Sequence, residues 1–182
     1  MDRPVLTFAP ELLLRAQGVR VALLDVDGVL TDGGLWYGPD GEQLKRFHTL
    51  DGHGLKLLRR AGIEPAVVTG RDSPALRARL QALGVRHVRY GTEDKRPAAE
   101  SILAELGVGW DAAAAIGDDW PDLPVLTRCA LAAAPPTAHP EVLARVHHVT
   151  AAPAGGGAAR EFCDLLLVAR GHYVTLLQEA LA

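Results

Sequence analysis

Two carboxylates that come directly after an apolar run are the clearest chemical signal in this sequence. Residues 21–24 are all apolar, and Asp25 and Asp27 follow them. A short apolar run is typical of a buried strand in a parallel sheet, and such sheets bind ligands at the carboxyl ends of their strands. Residues two apart on a strand share a face, so both carboxylates can approach one centre. Because two such charges need a cation or a proton between them, the pair favours a functional site over turn capping.

Polar residues follow three further predicted strands. Thr69 and Gly70 end one strand, Lys95 follows the next, and a third runs into the acidic loop 117–122. Taken singly, these are ordinary turn, surface and capping residues. Parallel strands end at one rim, however, and the combined set there is suited to phosphoryl transfer. It supplies an aspartate nucleophile, oxygen ligands for a divalent cation, and a hydroxyl, backbone amides and an ammonium for phosphate oxygens.

The remaining metal-binding residue types do not indicate another centre. None of the seven histidines lies at ligand spacing from a cysteine or a second histidine, except the adjacent His147 and His148, which a strand would point to opposite faces. Cys129 and Cys163 are far apart in apolar surroundings, which is typical of reduced core thiols. Oxygen-only ligation at the acidic rim therefore predicts Mg²⁺.

The elements that must position these residues alternate between helix and strand. We predict an α/β fold: a doubly wound, mostly parallel Rossmann-like sheet with helices on both faces and an inserted β-hairpin over 35–47, around the turn 38–41. Pro65 falls inside one predicted strand, which is unfavourable in a central position. The predicted strands are 19–25, 63–69, 85–90, 112–117 and 130–133; the predicted helices are 11–17, 51–60, 74–82, 97–106, 122–128, 158–169 and 171–182, with a flexible glycine-rich loop at 151–157.

Composition narrows the function class. The 182 residues are 48% hydrophobic, which is enough for one domain, residues 1–182, with a real core. A net charge of −3 without long single-sign runs argues against a nucleic-acid partner. The sequence contains no apolar stretch long enough to span a membrane, and the first ten residues lack the apolar segment of a signal peptide. We therefore expect a cytoplasmic protein that acts on a small molecule.

The motifs resemble those of a known superfamily in their order and spacing. Four of them are similar to the motifs of the haloacid dehalogenase phosphohydrolases: Asp25-Val-Asp27-Gly-Val-Leu-Thr, Val-Thr69-Gly-Arg, Asp94-Lys95 and Gly117-Asp118-Asp119-x-x-Asp122. The sequences 25–33, 47–54 and 155–161 more closely resemble the 3-deoxy-D-manno-octulosonate 8-phosphate phosphatases, a branch without a cap domain. The resemblance covers residues 19–171. The chain departs from the glycine-rich tail of that family at Ala154 and Ala159, where the family has glycine and valine.

This resemblance implies a role for each matching residue. Asp25 corresponds to the nucleophile that forms an aspartyl-phosphate, and Asp27 to the acid that protonates the leaving alkoxide and then activates water. The Mg²⁺ ligands would be Asp25, the backbone carbonyl of Asp27, and Asp118. Asp119 and Asp122 would act on the metal through water or through its ligands. The residues that would bind the phosphate or the rest of the substrate are Thr69, Gly70, Arg71, Lys95, Asp51 and Arg160, whereas Asp72, Glu93 and Asp94 are expected only to cap helices.

The hairpin and the tail are expected to act between subunits. The segment between the first and third motifs is too short for a cap domain. The hairpin carries Trp36, Tyr37 and Phe47, and a two-stranded ribbon alone cannot bury that much aromatic surface. The resemblance implies a homotetramer built on these hairpins. An arginine on a flexible tether suits a carboxylate or phosphate that must be bound and released, so Arg160 is expected to reach a neighbouring site.

Three functions are consistent with these residues. The first is Mg²⁺-dependent hydrolysis of 3-deoxy-D-manno-octulosonate 8-phosphate, an acid sugar used in lipopolysaccharide synthesis. The second is hydrolysis of a nonulosonate 9-phosphate, which the same resemblance allows. The third is a phospho-accepting, receiver-like signalling domain, which also combines an acidic strand end with a threonine and a lysine. Asp27 favours the hydrolases, because an acid/base two residues after the nucleophile speeds loss of the phosphate.

Overall fold

The computed structural model describes residues 5–182, and its main feature is a parallel sheet of six strands. In space the strands run β5–β4–β1–β6–β7–β8, and every neighbouring pair is parallel. A separate antiparallel hairpin, β2–β3, follows β1 in the chain. The predicted fold class is confirmed. The strands are β1 (Val21–Leu24), β2 (Trp36–Gly38), β3 (Gly41–Leu44), β4 (Glu64–Val68), β5 (His87–Arg89), β6 (Ala113–Ile116), β7 (Leu131–Ala134) and β8 (His148–Val149).

Helices cover both faces of this sheet. Because side chains alternate along a strand, β1 sends Ala22 and Leu24 into one apolar cluster and Val21 and Leu23 into the other. Phe162, which is fully buried, is the largest side chain of the first cluster. The helices are α1 (Pro10–Ala16), α2 (Thr49–Arg60), α3 (Pro74–Leu83), α4 (Lys95–Leu106), α5 (Leu123–Leu126), α6 (Pro140–Leu143), α7 (Ala158–Ala169) and α8 (Tyr173–Leu181). None of the helices described, over residues 5–182, has the length and apolar character that crossing a bilayer requires.

Pro65 is accommodated inside a central strand for a specific reason. The backbone N–H of Glu64 donates to the carbonyl of Arg20 on the β1 side at 2.9 Å. Successive N–H groups of a strand point to opposite sides, so the nitrogen of Pro65 faces β5. Pairing with β5 begins only at Ala66, opposite His87. Proline at this position therefore removes no hydrogen bond from the sheet.

The structure differs from the predicted elements mainly at their ends. Helix α4 begins at Lys95 rather than at residue 97, so the lysine belongs to the first turn of the helix. The short elements α6 and β8 were not predicted, since four and two residues are too few to show periodicity. Ser73, not Asp72, caps α3, while Asp72 pairs with Arg77. The expectation about an N-terminal leader concerns in part residues 1–4, which lie outside the described residues.

The glycine-rich loop, which the sequence predicts to be flexible, makes hydrogen bonds and packs closely against the chain. The backbone N–H of Gly155 donates to the carbonyl of Val29 at 3.0 Å, and Ala158 donates to Pro153 at 3.2 Å. Gly155 has φ +57°, and a Cβ there would collide with the backbone of Thr31 and Asp32. The loop is therefore packed against the turn that follows β1, and it leads directly into α7.

Candidate active site

Asp25 lies at the carboxyl end of the central strand. Its backbone N–H donates to the carbonyl of Ile116 at 3.1 Å, which continues the β1–β6 ladder by one residue. Its carboxylate is 7% exposed and accepts a hydrogen bond from the Lys95 ammonium at 2.5 Å. The sheet thus holds this carboxylate rigidly at its edge, as the apolar run before it predicted.

Lys95 joins two acidic segments of the site. From the first turn of α4, its ammonium also donates to Asp122 Oδ1 at 2.7 Å. Burial alone would lower the pKa of Lys95, but the charges of Asp25 and Asp122 outweigh that effect and raise it. The lysine is therefore positively charged at neutral pH, between two carboxylates.

The acidic loop after β6 is organised by its own backbone. A short 3-10 turn, Trp120–Asp122, places Asp122 so that its Oδ2 accepts from the N–H groups of Asp118 at 3.0 Å and Asp119 at 3.2 Å. Asp119 in turn accepts from the N–H of Trp120 at 2.8 Å. Both oxygens of Asp122 are thus engaged, and the carboxylate of Asp118 is left facing Asp25.

These carboxylates fit a divalent cation. Asp25, Asp118 and Asp122 offer oxygens that all lie within 4.8 Å of one another. Burial, and next the charge of Asp122, raise the pKa of Asp25 to about 8 and that of Asp118 to about 6. Gly28, at φ +89°, makes room for the group, since a Cβ there would overlap the Asp118 carboxylate. Hard oxygen ligands that repel one another are a suitable set for Mg²⁺.

Asp27 occupies a different environment from Asp25. Its Oδ1 accepts a hydrogen bond from the ammonium of Lys45 at 2.5 Å, and the hydroxyl of Thr31 lies 3.5 Å away. Its Oδ2 lies 3.8 Å from Nε of Arg71. The two aspartates therefore reach the same region with separate cationic partners, Lys95 for one and Lys45 for the other.

The predicted phosphate-binding residues line one open pocket of about 550 Å³. Thr69 is buried, and its hydroxyl accepts from the backbone N–H of Arg71 at 3.2 Å. Glu93 also lines this pocket, and the side chain of Asp94 makes no hydrogen bond at the start of α4, so the capping role expected for these two residues is wrong. The full lining is Asp25, Asp27, Thr69, Gly70, Arg71, Glu93, Lys95, Asp118, Asp119, Pro121 and Asp122.

Two predicted binding residues lie elsewhere. Asp51, 1% exposed inside α2, accepts a hydrogen bond from the backbone N–H of Arg160 at 2.8 Å. The guanidinium of Arg160 donates through Nε to both oxygens of Asp164, at 2.8 and 3.0 Å. Within the described chain neither residue lines the pocket. Arg160 belongs to the first turn of α7, directly after the glycine-rich loop, and Asp51 joins that turn to α2.

The contribution of the hairpin to this site was not predicted from the sequence. Lys45 and Glu42 reach Asp27 and Arg71 from the hairpin, for which the sequence predicted only a contact between subunits. Their spacing in Glu42-Gln-Leu-Lys45 is common on exposed ribbons and carries no signal by itself. Only the fold of the hairpin back onto the sheet edge brings them to Asp27.

Comparison with known proteins places the chain among sugar-phosphate phosphatases. No protein-family model matches it. Over 163 residues, 90% of this chain and 87% of the relative, it is 39% identical to 3-deoxy-D-manno-octulosonate 8-phosphate phosphatase from Salmonella typhimurium. The chain is also similar to the crystal structure of 3-deoxy-D-manno-octulosonate 8-phosphate phosphatase from Yersinia pestis. The TM-score is 0.89 at 39% identity, over 92% of this chain and 90% of that chain.

A third similar protein was crystallised with ligands. It is the 3-deoxy-D-manno-octulosonate 8-phosphate phosphatase from Moraxella catarrhalis, in complex with a magnesium ion, a phosphate ion and a KDO molecule. The TM-score is 0.90 at 32% identity, over 93% of this chain and 97% of that chain.

Proposed function

The chain belongs to the 3-deoxy-D-manno-octulosonate 8-phosphate phosphatase family of the haloacid dehalogenase superfamily, and we propose that it hydrolyses this phosphomonoester to the free sugar acid and phosphate. The observation that carries the proposal is the buried Asp25 at the sheet edge, within one pocket with Asp27, Lys95 and Asp118. The reaction is Mg²⁺-dependent, as the oxygen-only acidic cluster indicates.

We propose Asp25, Asp118 and the backbone carbonyl of Asp27 as the groups that hold Mg²⁺. Asp25 and Asp118 are the two carboxylates of the cluster that remain available, since Asp122 is already bound to Lys95 and to two backbone amides. When bound, Mg²⁺ neutralises the phosphate charge that the nucleophile must approach. Asp119 and Asp122 keep the acidic loop in the shape that presents Asp118.

In the proposed mechanism the two aspartates divide the chemistry. A carboxylate oxygen of Asp25 forms a bond to phosphorus while the bond from phosphorus to the sugar oxygen breaks. Asp27 donates its proton to that leaving oxygen, so the sugar acid departs as an alcohol. Asp27 then removes a proton from the water that attacks the aspartyl-phosphate, which releases phosphate and restores Asp25.

The other pocket residues hold the phosphate. In this proposal the hydroxyl of Thr69 and the backbone N–H of Gly70 donate to its non-bridging oxygens, and Arg71, which lines the same pocket, adds a guanidinium. Lys95 contributes a positive charge next to the nucleophile, and that charge persists because two carboxylates surround it. These groups stabilise the additional negative charge of the transition state.

A phosphate-release assay tests the proposal. With Mg²⁺ present, the wild-type protein is expected to hydrolyse 3-deoxy-D-manno-octulosonate 8-phosphate with a higher kcat/KM than nonulosonate 9-phosphates or hexose 6-phosphates. Asp25→Asn is expected to abolish release, while Asp32→Asn, an exposed carboxylate of the same loop, serves as the matched control. A preference for the nonulosonate ester would favour the second candidate substrate. Full turnover by Asp25→Asn would overturn the mechanism.

We also propose a homotetramer assembled through the hairpin. Trp36, Tyr37 and Leu44 are 63%, 64% and 64% exposed, and together they form an apolar surface on a ribbon that packs little of its own area. Light scattering of the wild type is expected to give four times the chain mass, and Trp36→Glu a smaller species. Leu14→Glu, an exposed apolar residue on α1, is the control that should leave the mass unchanged. A monomeric wild type would contradict the assembly.

The location and domain organisation are proposed on the same basis. Both cysteines, Cys129 and Cys163, are buried free thiols, which fits a reducing compartment such as the cytoplasm. Fractionation of cells that produce the protein at native level would test this. We take residues 1–182 as one phosphatase domain, with the hairpin flap at 35–47 and the tail at 151–182.

A further inference from the structure

Lys45 is a buried charge in an otherwise exposed hairpin. Its side chain is only 1% exposed, whereas Trp36 and Leu44 of the same ribbon are 63% and 64% exposed. Removing an ammonium from water is costly unless an opposite charge meets it. The hairpin therefore directs Lys45 inward, toward a partner that compensates this cost.

That partner is Asp27. The ammonium lies 2.5 Å from Oδ1, which leaves Oδ2 as the oxygen on the side of Arg71, 3.8 Å away and part of the pocket wall. Asp27 lies beyond the end of β1, and apart from Lys45 its carboxylate has only long polar contacts among the described residues, with the hydroxyl of Thr31 at 3.5 Å and with Arg71. Binding of one oxygen by Lys45 restricts rotation of the carboxyl group and presents the other oxygen to the pocket.

Glu42 holds Lys45 from the opposite side. Its Oε1 lies 3.1 Å from the ammonium, and its Oε2 lies 3.8 Å from Nη1 of Arg71. Among the described residues, Oε1 has no well-aligned hydrogen bond, so the contact with Lys45 is one of charge. Asp27, Lys45, Glu42 and Arg71 therefore form a closed ring in which acidic and basic side chains alternate, and two of its members come from the hairpin.

We infer that Lys45 is a positioning residue for Asp27, supplied by the hairpin and held in place by Glu42. This inference rests on the proposed function, in which Asp27 protonates the leaving oxygen. Proton transfer requires the carboxyl oxygen at about 2.6–3.2 Å from that oxygen, and an unrestrained carboxyl group is seldom there. Among the described residues, the ion-pair partners of the Lys45 ammonium are Asp27 and Glu42, so it acts through the aspartate.

The test compares two esters that differ in their need for an acid. 3-Deoxy-D-manno-octulosonate 8-phosphate has an alkyl leaving group that requires protonation, whereas p-nitrophenyl phosphate has a leaving group that departs without it. The measured quantity is kcat/KM, which reports the step that breaks the ester bond. Lys45→Met is compared with Lys45→Arg and with Lys56→Met, a lysine on the exposed face of α2. Any loss of folded protein lowers both rates equally, so the ratio of the two substrates isolates the effect on Asp27.

The expected result is a shift in that ratio. General acids contribute about 10²–10⁴-fold, so Lys45→Met is expected to lower kcat/KM for the sugar ester about 10–100-fold and for the aryl ester less than about 3-fold. Lys45→Arg should restore part of the loss, and Lys56→Met should leave kcat/KM unchanged for both esters. Adding Lys45→Met to Asp27→Asn should not lower kcat/KM for the sugar ester any further. An unchanged ratio, or a full additional loss in the Asp27→Asn background, would overturn the inference. A wild type inactive on both esters would instead overturn the proposed function.

Discussion

Replacement of Asp51 separates a structural role from a ligand-binding one. The sequence resemblance implies substrate binding, but the structure buries Asp51 in α2, where its Oδ1 accepts from the first turn of α7 at 2.8 Å. A hydrogen bond to a charged group contributes about 1.5–3 kcal/mol, and a carboxylate near a helix N-terminus adds about 0.3–1 kcal/mol. Burial of the charge opposes these gains and raises the pKa of Asp51. We therefore expect Asp51→Ala to lower the free energy of unfolding by about 2–3 kcal/mol.

Thermal and urea unfolding at one protein concentration would measure this loss. For a chain of this size, about 2–3 kcal/mol corresponds to a fall in Tm of about 5–10 °C. Asp51→Asn keeps an oxygen acceptor and is expected to cost about 1 kcal/mol or less at pH 7. Asp72→Ala, which breaks an exposed pair with Arg77, is the control that should not move Tm. The kcat/KM of folded Asp51→Ala should stay within about 3-fold of the wild type, since Asp51 does not line the pocket.

The pH dependence of stability gives a second test of the role of Asp51. Because burial raises the pKa of Asp51 in the folded protein, its protonated form stabilises the fold more than its ionised form does, and this difference is fully present below pH 3.8 and is lost as the pH rises through the folded pKa. The wild type should therefore lose stability relative to Asp51→Asn between pH 3 and pH 7. An unchanged Tm in Asp51→Ala, combined with a tenfold higher KM, would refute the structural role and restore the ligand-binding one.

Four further outcomes are expected. Lys95→Met leaves the buried carboxylate of Asp122 without its counter-charge, so urea unfolding without Mg²⁺ should show a loss of about 3–5 kcal/mol in the free energy of unfolding. Asp122→Asn should restore part of that loss, and simple addition of the two losses would contradict this. Gly28→Ala places a Cβ against Asp118 at φ +89°, and calorimetry should show Mg²⁺ affinity at least about tenfold lower; equal affinity would refute the close approach. In the metal-free protein the pKa is about 8 for Asp25 and about 6 for Asp118, so Mg²⁺ must displace protons from these carboxylates when it binds. Mg²⁺ affinity should therefore rise from about pH 6 to about pH 8. Calorimetric titration in two buffers of different ionisation enthalpy would detect the released protons. EDTA should abolish phosphate release and added Mg²⁺ should restore it, whereas activity that survives exhaustive chelation would exclude the metal requirement.

Local sequence patterns were sufficient to predict the sheet and the site at the carboxyl ends of its strands. The apolar run before Asp25 predicts a buried strand because parallel strands are covered on both faces, and the structure shows both clusters around β1. The alternation of strands and helices predicts the parallel order because right-handed crossovers leave few other arrangements. Since such strands end at one rim, the placement of Thr69, Lys95 and Asp118 in one pocket follows from their positions after three strands.

Contacts between segments far apart in the chain were decided only by the tertiary structure. Lys45 meets Asp27 because the hairpin folds back over the sheet edge, and no periodicity in a short ribbon specifies that direction. Asp51 meets the backbone of Arg160 across 109 residues because α2 packs against α7. The resemblance of motifs singled out Asp51 and Arg160 but not Lys45. Whether a buried carboxylate binds a ligand or a helix depends on which groups surround it. Those surroundings arise from packing of whole elements, and local sequence does not encode them.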